Sequence, residues 1–85
     1  MKKKIEYEVS YEVVCTIKYL GEEEPGEHYF RLLKEQPEGL WDAGEDEAVA
    51  YVKNGEVFDI EGYSCLVREE EQDAIKEMMA EILKK

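Results

Sequence analysis

Histidine occurs once in this chain, tryptophan once, and cysteine and proline twice each. A lone histidine, His28, leaves little from which to build acid–base or nucleophilic machinery. The two cysteines, Cys15 and Cys65, stand fifty positions apart. That spacing fits neither a disulfide-dense scaffold nor the C-x-x-C arrangement of a zinc site, so both are expected as reduced thiols. No G-x-S-x-G, P-loop, G-x-G-x-x-G or H-E-x-x-H motif is present. No apolar run approaches the ~18 residues of a membrane span. The opening MKKKIEYEVSYE begins with cations, as a signal peptide does, but glutamates interrupt any apolar segment; no leader is expected, and the protein is expected to be cytoplasmic.

What the chain has in abundance is negative charge: 22 acids against 11 bases, a net charge of -11. The excess is concentrated. Residues 21–47 hold ten acids and two bases, whereas residues 1–20 hold four lysines and three glutamates. Such a surface repels nucleic acid and anionic membrane and attracts basic proteins or cations. With 44% hydrophobic and 11% aromatic residues, the sequence is too apolar for intrinsic disorder. Its 85 residues make a single domain, 1–85, with one modest core.

Every odd position from Ile5 to Tyr19 is apolar or aromatic, and the even ones are polar except Val14. This is the period-2 pattern of a strand buried on one face. Fifteen extended residues would reach ~50 Å, too far for a domain with a radius of gyration near ~12 Å, so a bend with a bulge is expected at Val14. GEEEPG, 21–26, reads as a loop. His28 to Glu35 reads as a second strand with apolar groups on both faces, its outer side covered by Leu40-Trp41 or by another copy of the chain. Gln36 to Glu47 has no periodicity and reads as a long loop.

Ala48 to Lys53, Asn54-Gly55 and Glu56 to Ile60 form a hairpin pattern in which Asn-Gly supplies a type I′ turn. It would pair Lys53 with Glu56, Tyr51 with Phe58 and Val49 with Ile60. A helix over Glu45–Lys53 capped by Asn54-Gly55 competes, but the turn and the β-branched content favour the hairpin. Glu61-Gly62 then reads as a turn into a last strand, Tyr63 to Val67. Beyond Glu69 the apolar residues Ala74, Ile75, Met78, Met79, Ile82 and Leu83 follow helical spacing to Lys84. The expected fold is α+β: a two-layer arrangement of four to five antiparallel strands with one C-terminal amphipathic helix packed on the odd-numbered face. One such helix is ~24 Å long, so part of the sheet stays uncovered.

Asp42, Glu45, Asp46 and Glu47 resemble a calcium loop only in charge: glycine is missing at the sixth position of the pattern, which holds Glu47. No metal or other cofactor is expected. The cysteines fall on the apolar phase of their strands, where a thiol is inert packing, and His28 is expected at the surface; no enzyme is expected. Trp41, flanked by Leu40 and Asp42, suits a binding anchor. Glu6, Glu8 and Glu12 line the polar face of the first strand at ~6.6 to 6.8 Å spacing, about half the charge density of one DNA strand with its phosphate every ~3.4 Å.

Together Glu6, Glu8, Glu12, Trp41, Asp42, Glu45, Asp46 and Glu47 are the candidate partner-binding residues. In size, acidity and lack of catalytic motifs the chain is similar to inhibitors that mimic nucleic acid, of the anti-restriction and anti-CRISPR type. The likeness is one of composition, carried by no motif. It implies a non-catalytic acidic protein-binding domain that occupies the basic site of a nucleic-acid-handling enzyme, with no direct nucleic-acid or membrane partner. The alternative is a self-associating structural or adaptor domain forming a homodimer through its sheet.

Overall fold

The computed structural model describes residues 2–8, 12–35, 42–63 and 67–84, with the backbone alone at 42–44. Five strands run in chain order, β1 (Lys2–Glu8), β2 (Glu12–Glu24), β3 (Glu27–Glu35), β4 (Asp42–Lys53) and β5 (Glu56–Gly62), followed by α1 (Glu69–Leu83). They form one antiparallel meander, β1-β2-β3-β4-β5, with each strand hydrogen-bonded to its neighbours in sequence. The fold is α+β, with the helix on one face of a curled sheet.

The long first strand of the alternation is in fact two. Lys2 pairs with Lys18, Ile5 with Cys15 and Glu8 with Glu12, so the chain folds back between Glu8 and Glu12 and not at Val14, which sits inside a regular ladder. Paired positions in this hairpin sum to an even number, so odd residues face odd residues. The alternation therefore passes through the reversal unbroken, and Ile5, Tyr7, Val13, Cys15 and Ile17 share the inner face. Residues 9–11, between the two strands, lie outside the described residues.

Two expected loops are strand. β2 continues through Gly21 to Glu24, confining the turn to Pro25-Gly26, and register shifts at Tyr19/Gly21 and Glu22/Glu24 absorb the irregularity. Glycine is required at position 26. Its φ is +83°, and a Cβ there would stand 2.8 Å from the Val52 carbonyl oxygen, because the Val52 amide donates to the Gly26 carbonyl at 2.8 Å. β4 begins at Asp42, so the acidic half of the expected 36–47 loop belongs to the sheet; Leu40 and Trp41, the expected cover for β3, lie outside the described residues.

The Asn54-Gly55 hairpin forms as expected, with φ of 55° and 78°, and the competing helix does not. Lys53 pairs with Glu56, but a register shift between Tyr51 and Val52 places Tyr51 opposite Asp59 and Ala50 opposite Ile60, where a regular ladder would have set Tyr51 against Phe58 and Val49 against Ile60. The cause is packing. Val57 and Ile60 both lie against the core, yet an odd and an even residue of a regular strand face opposite ways; one extra residue brings them to the same side. β5 runs on through Glu61 and Gly62, so these are not a turn. Tyr63 and Val67 are not strand, and residues 64–66 lie outside the described residues.

The core joins Cys15 and Ile17 of β2, Phe30 and Leu32 of β3, and Ala48 and Ala50 of β4 to Ala74, Ile75, Met78 and Met79 of α1. The helix comes nearest to the two edge strands, β1 and β5, and the larger side chains of the curled sheet fill the space beneath it. β2 has 13 residues, ~43 Å if fully extended at ~3.3 Å per residue, comparable to the 42 Å greatest extent of the molecule. The 15-residue helix is about half that, so part of the sheet extends beyond it.

One buried group was not foreseen. Glu71, in the first turn of α1, is 0% exposed. Its Oε1 accepts the Arg68 amide at 2.9 Å, closing the N-terminus of the helix. Its Oε2 accepts the Tyr7 hydroxyl at 2.9 Å and lies 3.3 Å from Lys34 Nζ. With partners on both oxygens, the carboxylate fastens the start of α1 to β1 and β3. Further along, Lys3 forms an ion pair with Glu77, so α1 lies along β1.

Candidate partner-binding site

The sheet face away from α1 carries Glu6, Glu8, Glu12, Glu45 and Glu47, and the ladder registers place them. Glu6 lies across from Val14, Val14 from Glu35, and Glu35 from Asp42. Glu8 and Glu12 form the pair next to this row. The structure thus gathers Glu6, Glu8 and Glu12 with Glu35, a residue the sequence pattern did not single out. All four side chains are exposed, and among the described residues none has an ion-pair partner. Like charges directly opposite one another, as at Glu8 and Glu12, are destabilising.

The second expected cluster is divided. Alternation along β4 sets Glu45 and Glu47 on the outer face and Asp46 on the opposite side of the strand, where its Oδ1 accepts the Glu47 amide at 2.9 Å. Glu45 and Glu47 flank Arg31, at 2.8 and 4.0 Å. Their charge is therefore partly neutralised. These acids are fixed on a strand and not held in the solvated loop that the sequence suggests, and with Asp46, Arg31 and Tyr63 they line an open hollow of about 450 Å³. Asp42 is placed by its backbone only, and Trp41 lies outside the described residues.

An aromatic patch occupies the β3–β5 end of the outer face. Tyr29 stacks on Tyr63 with ring centroids 6.4 Å apart, and Tyr51 lies 6.1 Å from Phe58. Phe58 and Tyr63 are 65% and 67% exposed. Hydrogen bonding to Tyr63 pushes the Tyr29 hydroxyl up to about 12. The pairing of Tyr51 with Phe58 was expected; they touch diagonally, across the register shift. Tyr63, which the sequence pattern sets in a further strand, instead follows β5 and joins this face beside Tyr29.

The groups considered for catalysis are turned inward. His28 is buried, not at the surface; its Nδ1 is 2.8 Å from the Tyr19 hydroxyl and its Nε2 is 3.5 Å from Glu22. Cys15 is fully buried beside Glu71. Burial first, and then the Glu71 carboxylate, pushes its thiol up to about 12, which keeps it protonated and unreactive near neutral pH. Cys65 lies outside the described residues. Among the described residues no three His, Cys, Asp or Glu side chains converge to hold a metal ion, and no helix is long and apolar enough to cross a membrane.

The architecture is a five-stranded antiparallel meander curled against one C-terminal helix, with an outer face acidic at one end and aromatic at the other. Comparison with protein-family models, with curated proteins and with solved structures found no match to this chain.

Proposed function

We propose that the chain is a non-catalytic, acidic protein-binding domain that occupies a basic surface of a nucleic-acid-handling enzyme, its carboxylates standing where phosphates would. The observation that carries this reading is the group Glu6, Glu8, Glu12 and Glu35: four exposed carboxylates on adjoining strands with no ion-pair partner among the described residues. Neighbouring strands lie ~4.8 Å apart and alternate residues ~6.6 Å apart. Spreading the acids over three strands therefore comes closer to phosphate spacing than one strand can. The exposed rings of Phe58 and Tyr63 supply apolar contact area. Association would be fast at low salt and would exclude the partner's substrate.

The test is capture of nucleic-acid enzymes by the wild-type domain, by a Glu6→Gln, Glu8→Gln, Glu12→Gln, Glu35→Gln variant, and by an unrelated acidic domain of similar charge. Expected is an enzyme retained by the wild type alone, released by raised salt and displaced by its own nucleic-acid substrate. Equal retention on the amide variant would remove these carboxylates from the binding surface. Failure of nucleic acid to compete would end the mimicry.

A further inference from the structure

β1 is an edge strand, and among the described residues none of its backbone groups makes a backbone hydrogen bond outside the ladder with β2. Its outer-face residues are Lys2, Lys4, Glu6 and Glu8, all exposed and none with an ion-pair partner among the described residues. Within the chain, both ends of this strand meet like charge: Lys2 lies across from Lys18, and Glu8 across from Glu12. Like charges directly opposite in a sheet repel.

We infer that β1 is the site at which a second copy of this chain adds to the sheet, strand to antiparallel strand about a two-fold axis through Ile5. In that register paired positions sum to ten. Lys2 meets Glu8 of the second copy, Lys4 meets Glu6, and two-fold symmetry repeats both pairs, so four opposite-charge contacts form, and Lys2 and Glu8, which meet like charge within their own chain, each gain a partner of opposite sign. On the inner face Ile5 meets Ile5, and Lys3 meets Tyr7. The axis stands perpendicular to the sheet, so both helices lie on the same side of a ten-stranded sheet.

Lysines on an edge strand normally discourage such addition. Here Glu6, two positions beyond Lys4, and Glu8, six beyond Lys2, turn them into complements. The opposite edge offers no equivalent: β5 carries Glu56, Asp59 and Glu61 with no cation, and it is interrupted by the register shift near Phe58. A contact through one strand is small, at the low end of specific interfaces, so the dimer is concentration-dependent and weakened by salt.

The inference stands apart from the partner proposed above, although a basic partner and a second copy would compete for Glu6 and Glu8. The experiment therefore uses this chain alone. Sedimentation equilibrium compares the wild type with Lys2→Glu/Lys4→Glu, with Glu6→Lys/Glu8→Lys, and with the two variants mixed. Each variant replaces a like-charge pair inside the chain with an opposite-charge pair, so folding, checked by circular dichroism, is preserved. Expected is a wild-type dimer, self-association at least about tenfold weaker in either variant, and recovery in the mixture. A wild type that stays monomeric at millimolar concentration overturns the inference. A dimer that neither variant weakens, or that mixing fails to restore, overturns it as well.

Discussion

The two edges of the sheet are built on opposite terms. β1 is regular, seven residues long, and alternates cleanly between a face packed under α1 and a face of two lysines followed by two glutamates. β5 is also seven residues long, but its ladder slips by one residue so that Val57 and Ile60 can both reach the core, and all its charges are negative. A slipped register and uniform charge blunt an edge against strand addition; a regular register with charges of both signs leaves it open to a matching strand. The difference shows that total acidity alone does not decide which part of this molecule repels its own kind. Order of sign along a single strand does.

The largest way to break that contrast is to release β1 from the helix. Glu71→Ala removes the acceptor of the Tyr7 hydroxyl and of the Arg68 amide and leaves Lys34, largely buried, without this carboxylate. Breaking a buried pair on one side costs about 3 to 5 kcal/mol. Denaturant unfolding should register that loss, with amide exchange rising in β1 well before β5. If exchange rises equally at both edges, Glu71 does not fasten β1 in particular.

A second test uses alkaline pH. Cys15 lies across from Ile5, and its thiol is raised from an ordinary value of 9.0 to about 12. Burial pushes the Tyr7 hydroxyl upward too, aided by its hydrogen bond to Glu71. An acid whose folded pKa lies above its unfolded one holds its proton more tightly in the fold. The stability it contributes is full below pH 9 and is lost as pH rises toward 12. Unfolding midpoints should therefore fall across that window, and less steeply in Cys15→Val. Identical slopes would mean the thiol does not titrate with unfolding.

The smallest effect sharpens the comparison most. Lys18→Glu turns the Lys2–Lys18 contact from like to opposite charge and should stabilise the monomer by about 0.2 to 1 kcal/mol. It should also weaken self-association, because Lys2 acquires a partner within its own chain. A stability gain with unchanged association would show that Lys2 is not part of the dimer contact.

Much of this was legible in the residues. Helical spacing from Ala74 to Leu83 located α1, Asn54-Gly55 located the β4–β5 turn, and alternation identified the inner face of β1 and β2. Where the chain reverses was not legible. Val9-Ser10-Tyr11 contains no glycine, proline, asparagine or aspartate, and a reversal between Glu8 and Glu12 keeps odd residues facing odd, so the periodicity does not register it. Glu71 does carry a signal: it stands three and four positions before Ala74 and Ile75, on the apolar stripe. Lys34, likewise, continues the inner phase of Phe30 and Leu32. Polar residues in apolar phase are where a buried pair is to be sought.

The class of fold, the faces of most strands, the C-terminal helix and the excess of negative charge follow from local periodicity and composition, and so are written in the residues alone. Tertiary structure alone decided which strands are edges, where the register slips, and that Glu35 joins Glu6, Glu8 and Glu12 while Arg31 partly neutralises Glu45 and Glu47. Those outcomes depend on which distant residues stand opposite one another, and that is fixed by how the strands pack under a single helix.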